Sequence, residues 1–224
     1  MKTIAIIPSG GSGKRTGIDT PKQYIKIKDK EVIAYTLDVL QNCPKIDEIY
    51  IAAQPEYFDS LFEIKKKYNF NKVTNIVKGG KERQDSVYNA LLSIPPVNSD
   101  ILVAVHDAAR PLLPQNILIN AINDAENLGN AVVAIKAKDT LIKLSENSFD
   151  YLNRNEVYYV QTPQIFLYKH LIKAFKNAYN ENFYGTDESM LIKRLGIKIN
   201  ITLGSTANFK LTDYDDILLF DKLT

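Results

Sequence analysis

The chain has 224 residues, 45% of them apolar and 24% charged, with a formal net charge of +2 at pH 7; this predicts one large globular domain with a buried core. The small net charge gives no reason to expect a nucleic-acid partner, and without a run of eighteen apolar residues we expect no membrane span. A single cysteine, Cys43, excludes an intrachain disulfide and favours a reducing cytoplasm.

In chain order, apolar runs of strand length alternate with amphipathic segments of helix length. The runs are rich in Ile, Val and Ala without alternation, which is typical of a sheet covered on both faces. Strand–helix–strand repetition predicts a doubly wound α/β domain with a mostly parallel sheet. The predicted strands are Thr3–Pro8, Glu48–Ala53, Val73–Val77, Ile101–His106 and Ala131–Ile135, and the predicted helices are Glu31–Asn42, Glu82–Ile94 and Gln115–Leu128.

The alternation is interrupted after the fifth predicted strand. Two β-prone pieces, Thr140–Leu144 and Val157–Gln161, flank a polar segment and predict a protruding β-arm, an insertion of about residues 137–160 in a single domain of residues 1–224. Because the arm cannot cover itself, we expect it to pack on a second copy and form a homodimer. The chain then resumes with predicted helices Tyr168–Tyr179 and Asp187–Leu195, strand Ile197–Leu203 and a helix from about Asp213.

A glycine-rich loop follows the first predicted strand, where open α/β sheets bind ligands. It comprises Gly10, Gly11, Ser12 and Gly13, with Lys14, Arg15 and Lys22 close behind. The spacing fits neither a Walker A motif nor a dinucleotide fingerprint, since Arg15 replaces the required Ser/Thr and no acidic residue ends the second strand. Solvated surface charges are one explanation. Backbone amides, an arginine fork and a lysine in one loop also suit a triphosphate that is attacked at one phosphorus.

Two further segments lie at predicted strand ends. In K-G-G-K-E-R-Q-D-S-V, residues 78–87, the glycines allow a flat ligand to approach and Ser86 faces the same edge, although an ordinary turn before a helix explains the pattern equally well. V-H-D-A-A-R-P, residues 105–111, presents Asp107 as a candidate magnesium ligand. His106 has no second His or Cys beside it, so we interpret it as structural.

Three later segments carry polar residues of the same kind. Arg154 lies on the predicted arm, eight residues before Thr162. Thr186 and Thr212 are predicted to cap the helices that follow them, and Lys210 immediately precedes the second of these helices.

The motifs form an ordered set from residue 3 to about residue 216: P-S-G-G-S-G-K-R, P-K-Q-Y, G-G-K-E-R-Q-D-S-V, V-H-D-A-A-R-P, D-T, T-P-Q-I-F, T-D-E and N-F-K-L-T. This set resembles the 2-C-methyl-D-erythritol 4-phosphate cytidylyltransferase family of isoprenoid synthesis. The resemblance implies a Rossmann-like nucleotidyltransferase domain, a homodimer with interlocked β-arms, and Mg²⁺-dependent transfer of CMP from CTP to methylerythritol phosphate with release of pyrophosphate.

The resemblance also implies residue roles. Catalysis is assigned to Arg15, Lys22, Lys210 and, from the partner chain, Arg154; CTP binding to Ser9, Gly10, Gly11, Gly13, Gly80, Ser86 and Asp107; metal binding to Asp107; and sugar-phosphate binding to Arg110, Thr140, Thr162 and Thr186. The chain departs from the family pattern where Ser9 and Gly10 replace alanines, Thr16 replaces methionine and Ala207 replaces an acidic residue.

Three alternatives stay open. A ribitol-5-phosphate or other alditol-phosphate cytidylyltransferase, serving teichoic acid or capsule, tends to carry A-V-R-P where this chain has A-A-R-P at 108–111. A nucleotide sensor that lost turnover is disfavoured by the presence of all the expected cations. A dinucleotide oxidoreductase is disfavoured by the missing acidic residue after the second strand and the absent Tyr-x-x-x-Lys pair.

Overall fold

The computed structural model describes residues 1–11, 20–96, 100–146 and 148–224. The strands in this part of the chain are β1 (Lys2–Pro8), β2 (Lys26–Ile27), β3 (Lys30–Glu31), β4 (Glu48–Ala53), β5 (Val73–Lys78), β6 (Ile101–Val105), β7 (Asn130–Lys136), β8 (Leu141–Leu144), β9 (Phe149–Leu152), β10 (Tyr158–Leu167) and β11 (Ile201–Leu203). The α-helices are α1 (Val32–Gln41), α2 (Phe58–Lys67), α3 (Arg83–Leu92), α4 (Gln115–Leu128), α5 (Tyr168–Asn180), α6 (Glu188–Arg194) and α7 (Tyr214–Leu223).

Seven of these strands form the central sheet, in the order β11-β7-β10-β6-β1-β4-β5. Parallel pairing joins β5, β4, β1 and β6, and also β7 and β11. Strand β10 lies between β6 and β7 and is antiparallel to both. The remaining six strands of the sheet therefore all run in the same direction. The predicted doubly wound, mostly parallel α/β fold is confirmed, and the five strands predicted first are within one residue of their observed bounds at each end.

Two hydrophobic cores cover the sheet, one on each face. In β1, Ala5 and Ile7 face the core shared with α1, α2 and α4, whereas Ile4 and Ile6 face the core shared with α3, α5 and α6. All four side chains are almost completely buried. Successive strand residues point to opposite faces, so a strand covered on both sides must be apolar throughout. This explains the unbroken apolar runs of the sequence.

The strand pairing predicted for the β-arm was wrong in its second strand. Val157–Gln161 was expected to pair with Thr140–Leu144, but β10 occupies this region and belongs to the central sheet. The partner of β8 is β9, in a two-stranded antiparallel hairpin outside the main sheet. The short alternating segment Phe149–Leu152 lay in what had been interpreted as a polar connection. A shift of register between Val160 and Gln164 also divides β10 into two pieces, which hid its full length.

Two predicted helix caps were wrong by one residue. Asp187 caps α6 by accepting a hydrogen bond from the backbone N–H of Met190, and Asp213 caps α7 in a capping box with Asp216. An aspartate supplies a charged acceptor to the N–H groups of the first helical turn. In both helices it therefore takes the N-cap role that was predicted for the preceding threonine. Other differences are that α2 was not predicted and that β11 is shorter than expected.

None of the helices in the described part of the chain is both long and apolar enough to cross a membrane.

Candidate active site

A cleft of about 660 Å³ opens where β1, β4, β5 and β6 end. Loops that follow these four strands supply most of its walls, and residues 210 and 212, which precede α7, close one side. The described residues that line it are Pro8, Gly10, Gly11, Lys22, Gln23, Gln54, Gly80, Lys81, Glu82, Arg83, Ser86, Asp107, Ala108, Ala109, Lys210 and Thr212. Ligands of open α/β sheets bind at this edge.

Lys22 is carried on a short 3-10 turn whose other members are anchored. The buried Gln23 amide donates hydrogen bonds to the carbonyls of Ser9 (2.8 Å) and Gly11 (3.0 Å). Tyr24 stacks on Tyr57 with ring centroids 4.3 Å apart, and its hydroxyl lies 2.9 Å from the Ser9 hydroxyl. Burial raises the pKa of Tyr24 to about 12, so this hydroxyl remains protonated. The P-K-Q-Y motif thus fixes a turn that places Lys22 at the cleft.

Ser9, predicted to contact CTP, does not line the cleft. Its hydroxyl is buried against Tyr24, its N–H donates to the Ala52 carbonyl and its carbonyl accepts from Gln23. The hydroxyl of this serine, which replaces a family alanine, therefore contacts Tyr24 inside the fold and does not reach the cleft.

The Gly79-Gly80 turn is shaped by the start of α3. Ser86 Oγ accepts from the Gly80 N–H (2.9 Å) and donates to the Glu82 carbonyl (3.1 Å), which folds the loop back on the helix. A Cβ on Gly80 would lie 2.1 Å from the Asp85 Cβ, so no other residue fits there. Gln54, at the end of β4, donates to the Gly80 carbonyl (3.3 Å). The result is a fixed backbone turn without side chains in which Gly80 lines the cleft.

Asp107 is the centre of a charged cluster on the opposite wall. Its Oδ2 lies 2.9 Å from Lys210 Nζ and 3.5 Å from Arg110 Nε, and its Oδ1 lies 3.2 Å from Arg83 Nε. Burial opposes ionisation of Asp107, but the charges of Arg83, Lys210 and Arg110 together outweigh it and hold its pKa well below the usual range. A buried carboxylate thus holds three cations, two of which, Arg83 and Lys210, line the cleft.

Arg83 and Glu188 were not predicted as site residues. The Arg83 guanidinium makes a two-pronged contact with Glu188, with Nη1–Oε1 at 2.7 Å and Nη2–Oε2 at 3.1 Å. Burial alone would lower the pKa of Arg83, but Glu188 and then Asp107 raise it above its ordinary value. Both residues lie inside motifs already noted, G-G-K-E-R-Q-D-S-V and T-D-E. The motifs themselves gave no signal that these two residues pair with each other.

Hydrogen bonds join the T-P-Q segment, residues 162–164, to the N-F-K-L-T segment, residues 208–212, next to the charged cluster. Thr162 Oγ1 accepts from the Asp107 N–H (3.1 Å), and the buried Asn208 amide donates to the Thr162 carbonyl (2.8 Å). Arg110 Nη1 donates to the Asn208 carbonyl (2.7 Å), and the Leu211 N–H is bonded to the Ala109 carbonyl. Lys210 thus lies between two anchored residues, 208 and 211.

His106 is structural, as interpreted from the sequence. Its Nδ1 lies 2.9 Å from Thr162 Oγ1 and its Nε2 lies 3.2 Å from the Arg110 carbonyl. Burial lowers its pKa to about 4, so the ring is neutral at pH 7. A neutral imidazole protonated at Nε2 satisfies both contacts, and neither ring nitrogen is directed to the cleft-lining residues.

The structure brings some predicted residues together and separates others. Gly10, Gly11, Lys22, Gly80, Ser86, Asp107 and Lys210 line the cleft, and Arg110 and Thr162 contact Asp107 from behind. Thr186 lies in an adjoining cleft of about 610 Å³ that shares Lys81, Glu82 and Arg83 with the first. Arg154 and Thr140 are exposed near the β8–β9 hairpin and line neither cleft. Gly13 and Arg15 lie outside the described residues.

Asp107 is the candidate protein ligand for a divalent metal in this cleft. Among the residues described, no three His, Cys, Asp or Glu side chains are grouped so as to hold a metal ion. Mg²⁺ commonly binds through one or two carboxylates together with substrate phosphates. Asp107 fits that pattern as a single ligand of a metal carried mainly by a polyphosphate, and the metal would share this carboxylate with Arg83, Arg110 and Lys210.

Comparisons with known proteins give consistent matches. The family model described as 2-C-methyl-D-erythritol 4-phosphate cytidylyltransferase matches residues 3–223. A protein of that name from Clostridium acetobutylicum is 41% identical over 222 residues, 98% of this chain and 96% of its own. The crystal structure of 4-diphosphocytidyl-2C-methyl-D-erythritol synthase from Anaerococcus prevotii matches with a TM-score of 0.87 and 28% identity, covering 99% of this chain and 95% of that one. The Francisella tularensis 2-C-methyl-D-erythritol 4-phosphate cytidylyltransferase matches with a TM-score of 0.84 and 30% identity, covering all of both chains.

Proposed function

Because the chain belongs to the 2-C-methyl-D-erythritol 4-phosphate cytidylyltransferase family, we propose that its cleft transfers CMP from CTP to methylerythritol phosphate. An oxygen of the acceptor phosphate attacks the α-phosphorus of CTP, the bond from that phosphorus to the bridging oxygen breaks, and pyrophosphate leaves. The products are 4-diphosphocytidyl-2-C-methyl-D-erythritol and pyrophosphate. The observation that carries the proposal is that Lys22, Arg83 and Lys210 line one cleft together with Gly10, Gly11 and Gly80.

The chemistry requires cations rather than a general base. The attacking phosphate is already ionised near neutral pH, and the barrier comes from bringing two polyanions together. Two unit charges 4 Å apart at an effective dielectric of 20 repel by about 4 kcal/mol, so several fixed cations must converge. The neutral, buried His106 is consistent with this, because the site does not need it as a proton acceptor.

The chain's own residues have separate tasks in this proposal. The Gly10-Gly11 and Gly79-Gly80 backbones admit the cytosine, with Gln54 and Ser86 holding the second turn in shape. Lys22 faces the CTP phosphates, and the resemblance to the family assigns Arg15 to the same phosphates. Lys210, held by Asp107, positions the attacking phosphate, and Thr186 faces the acceptor from the adjoining cleft.

Magnesium is part of the proposal. Asp107 would hold it together with the triphosphate, and a bound ion would supply further positive charge to the phosphate oxygens. Chelation by EDTA should therefore abolish pyrophosphate release, and excess Mg²⁺ should restore it. Full activity in the presence of excess chelator would refute the metal requirement while leaving the transfer itself in place.

We also propose a homodimer in which Arg154 and Thr140 serve the partner's cleft. In the β8–β9 hairpin, Ile142 stands opposite Tyr151 and Leu144 opposite Phe149, so these four exposed side chains share one apolar face. Exposed contiguous apolar surface marks an interaction site. A second copy is the favoured occupant because two residues near the hairpin, Arg154 with an assigned catalytic role and Thr140 with an assigned sugar-phosphate role, line neither cleft of their own chain.

A pyrophosphate-release assay tests the function directly. It crosses CTP, UTP, ATP and GTP with methylerythritol phosphate and ribitol 5-phosphate. We expect turnover with CTP and methylerythritol phosphate to exceed that of every other pair. Faster turnover with ribitol 5-phosphate would favour the alditol-phosphate alternative, and no release with any pair would favour a nucleotide sensor.

A further inference from the structure

The Arg83–Glu188 pair joins the cleft to a residue that does not line it. Glu188 is only 1% exposed and is absent from the cleft lining, whereas Arg83 lines the cleft and reaches Asp107 with the nitrogen that Glu188 leaves unused. Arginine presents its donors in a rigid fork, so a carboxylate that binds two of them fixes the whole guanidinium plane. Glu188 therefore determines where Arg83 Nε points.

The position of Arg83 in turn governs Asp107. One carboxylate oxygen faces Arg83, and the other is shared by Arg110 and Lys210. With both oxygens held, Asp107 cannot rotate away from Lys210. If Glu188 lost its charge, Arg83 would have Asp107 as its only carboxylate partner among these residues and would compete with Lys210 for it. Lys210 would then lose the contact that fixes its ammonium group.

The charge balance of this cluster supports the same conclusion. Arg83, Arg110 and Lys210 face Asp107 and Glu188, which leaves one net positive charge. Buried charges are costly unless they are paired and hydrogen-bonded. Glu188 balances part of the charge of the three cations around Asp107 while itself staying outside the cleft lining.

We propose that Glu188 is a positioning residue for the transfer reaction, acting through Arg83 and Asp107 on Lys210. This inference rests on the proposed function and adds to it a residue that touches neither substrate. A purely structural role for Glu188 would predict a general loss of folded enzyme. The positioning role instead predicts a change in the KM for the acceptor, methylerythritol phosphate.

The surrounding contacts make the proposal testable without loss of the fold. The junction between α3 and the segment before α6 has anchors besides Glu188. The Gln84 side chain donates to the Phe183 carbonyl (3.1 Å) and accepts from the Gly185 N–H (2.8 Å), and Asp85 accepts from the Tyr179 hydroxyl (2.7 Å). A Glu188→Gln variant keeps the side-chain shape and these anchors.

The test measures kcat and both KM values for Glu188→Gln. We expect kcat to fall about tenfold or more and the KM for methylerythritol phosphate to rise several-fold, with the KM for CTP within about twofold of wild type. The matched control is Glu181→Gln, which removes the carboxylate from a surface pair with Arg194 and should leave all three constants unchanged. Wild-type constants in Glu188→Gln, or equal rises in both KM values with unchanged kcat, would overturn the proposal.

A double variant identifies the route of the effect. If Glu188 acts through Arg83, then Arg83→Met/Glu188→Gln should have the same kcat as Arg83→Met alone. Independent losses that multiply would overturn the proposal. The double variant also covers the case in which Glu188→Gln fails to fold, because it leaves no unpaired buried ion. A wild-type enzyme inactive with every substrate pair would refute the proposed function instead, so the two failures are distinguishable.

Discussion

The cleft and the β8–β9 hairpin use their side chains in opposite ways. Around the cleft, each cationic side chain whose contacts are described above has a carboxylate or carbonyl partner within the same chain, as Arg83 and Arg110 do. On the hairpin, Leu144 is 74% exposed and Tyr151 is 71% exposed, and no helix covers them in the part of the chain that the structure describes. The cleft is therefore a preorganised electrostatic site, and the hairpin presents an uncovered apolar surface.

Because of this difference, substitutions in the cleft and on the hairpin should affect different measured quantities. Preorganised charges act without reorganising when negative charge moves onto the transferring phosphoryl oxygens, so single substitutions there should affect turnover. Substitutions on the hairpin should act through association, so their effects should depend on protein concentration. The following predictions exploit that contrast, from the largest expected effect to the smallest.

Lys22→Ala should give the largest loss. Removing one preorganised donor from a comparable site costs about 3 kcal/mol, or roughly a hundredfold in rate. We expect kcat to fall by that factor and the KM for CTP to change far less, as measured by steady-state pyrophosphate release. Arg15→Ala should behave in the same way.

Lys26→Ala is the control for this prediction, because Lys26 follows the same turn but is 62% exposed in its side chain and does not line the cleft. A rise in KM at constant kcat for Lys22→Ala would show that Lys22 only holds ground-state nucleotide.

Changes on the apolar face of the hairpin should weaken association. Burying a side chain such as Leu or Tyr contributes about 1.5–3 kcal/mol, so Leu144→Asp and Tyr151→Asp should each raise the dimer dissociation constant by about tenfold or more. Sedimentation velocity over a dilution series measures it. Lys143→Ser, on the opposite face of the hairpin, is the matched control. A monomeric wild type, or unchanged dissociation in both apolar variants, would contradict the proposed interface.

The smallest effect on turnover is expected of His106, whose titration changes stability rather than activity. The pKa of His106 is about 4 in the folded chain and about 6.5 in an unfolded one, so protons favour the unfolded state between these values. Full stability is therefore present above pH 6.5, and we expect about 3 kcal/mol to be lost as the pH falls to 4. Urea unfolding at several pH values measures this loss. His106→Asn should lose less than wild type over the same interval; an identical pH dependence would contradict the assignment.

The fold was predictable because the strands of this sheet are buried on both faces. β1, β4 and β6 are apolar almost throughout, and Gly129 ends α4 with φ of 84°, a conformation that favours glycine. Helix α2 was missed because only Leu61 and Ile64 are buried in it, which leaves a weak apolar stripe. Strand β9 was missed because all four of its residues are exposed, so it lacks the alternation of buried and exposed side chains that marks a strand packed on a core.

The candidate site was only partly predictable, for a different reason. Local motifs identified Lys22, Asp107 and Lys210, which line one cleft. The Arg83–Glu188 contact joins residues 105 positions apart, and no local periodicity reports such a pair. Ser9 is a similar case, since its hydroxyl lies 2.9 Å from the Tyr24 hydroxyl, a contact that the glycine-loop motif did not indicate.

The central claim is that a complete site combines the cleft of one chain with the hairpin region of another. Mixing an Arg154→Ala chain with a Lys22→Ala chain tests it most directly, because only a mixed dimer has one site with both residues intact. With random pairing at equal amounts, we predict about a quarter of wild-type activity from two almost inactive parents. No recovery at any ratio, with mixed dimers verified by mass spectrometry, would contradict the account and place Arg154 outside the partner's chemistry.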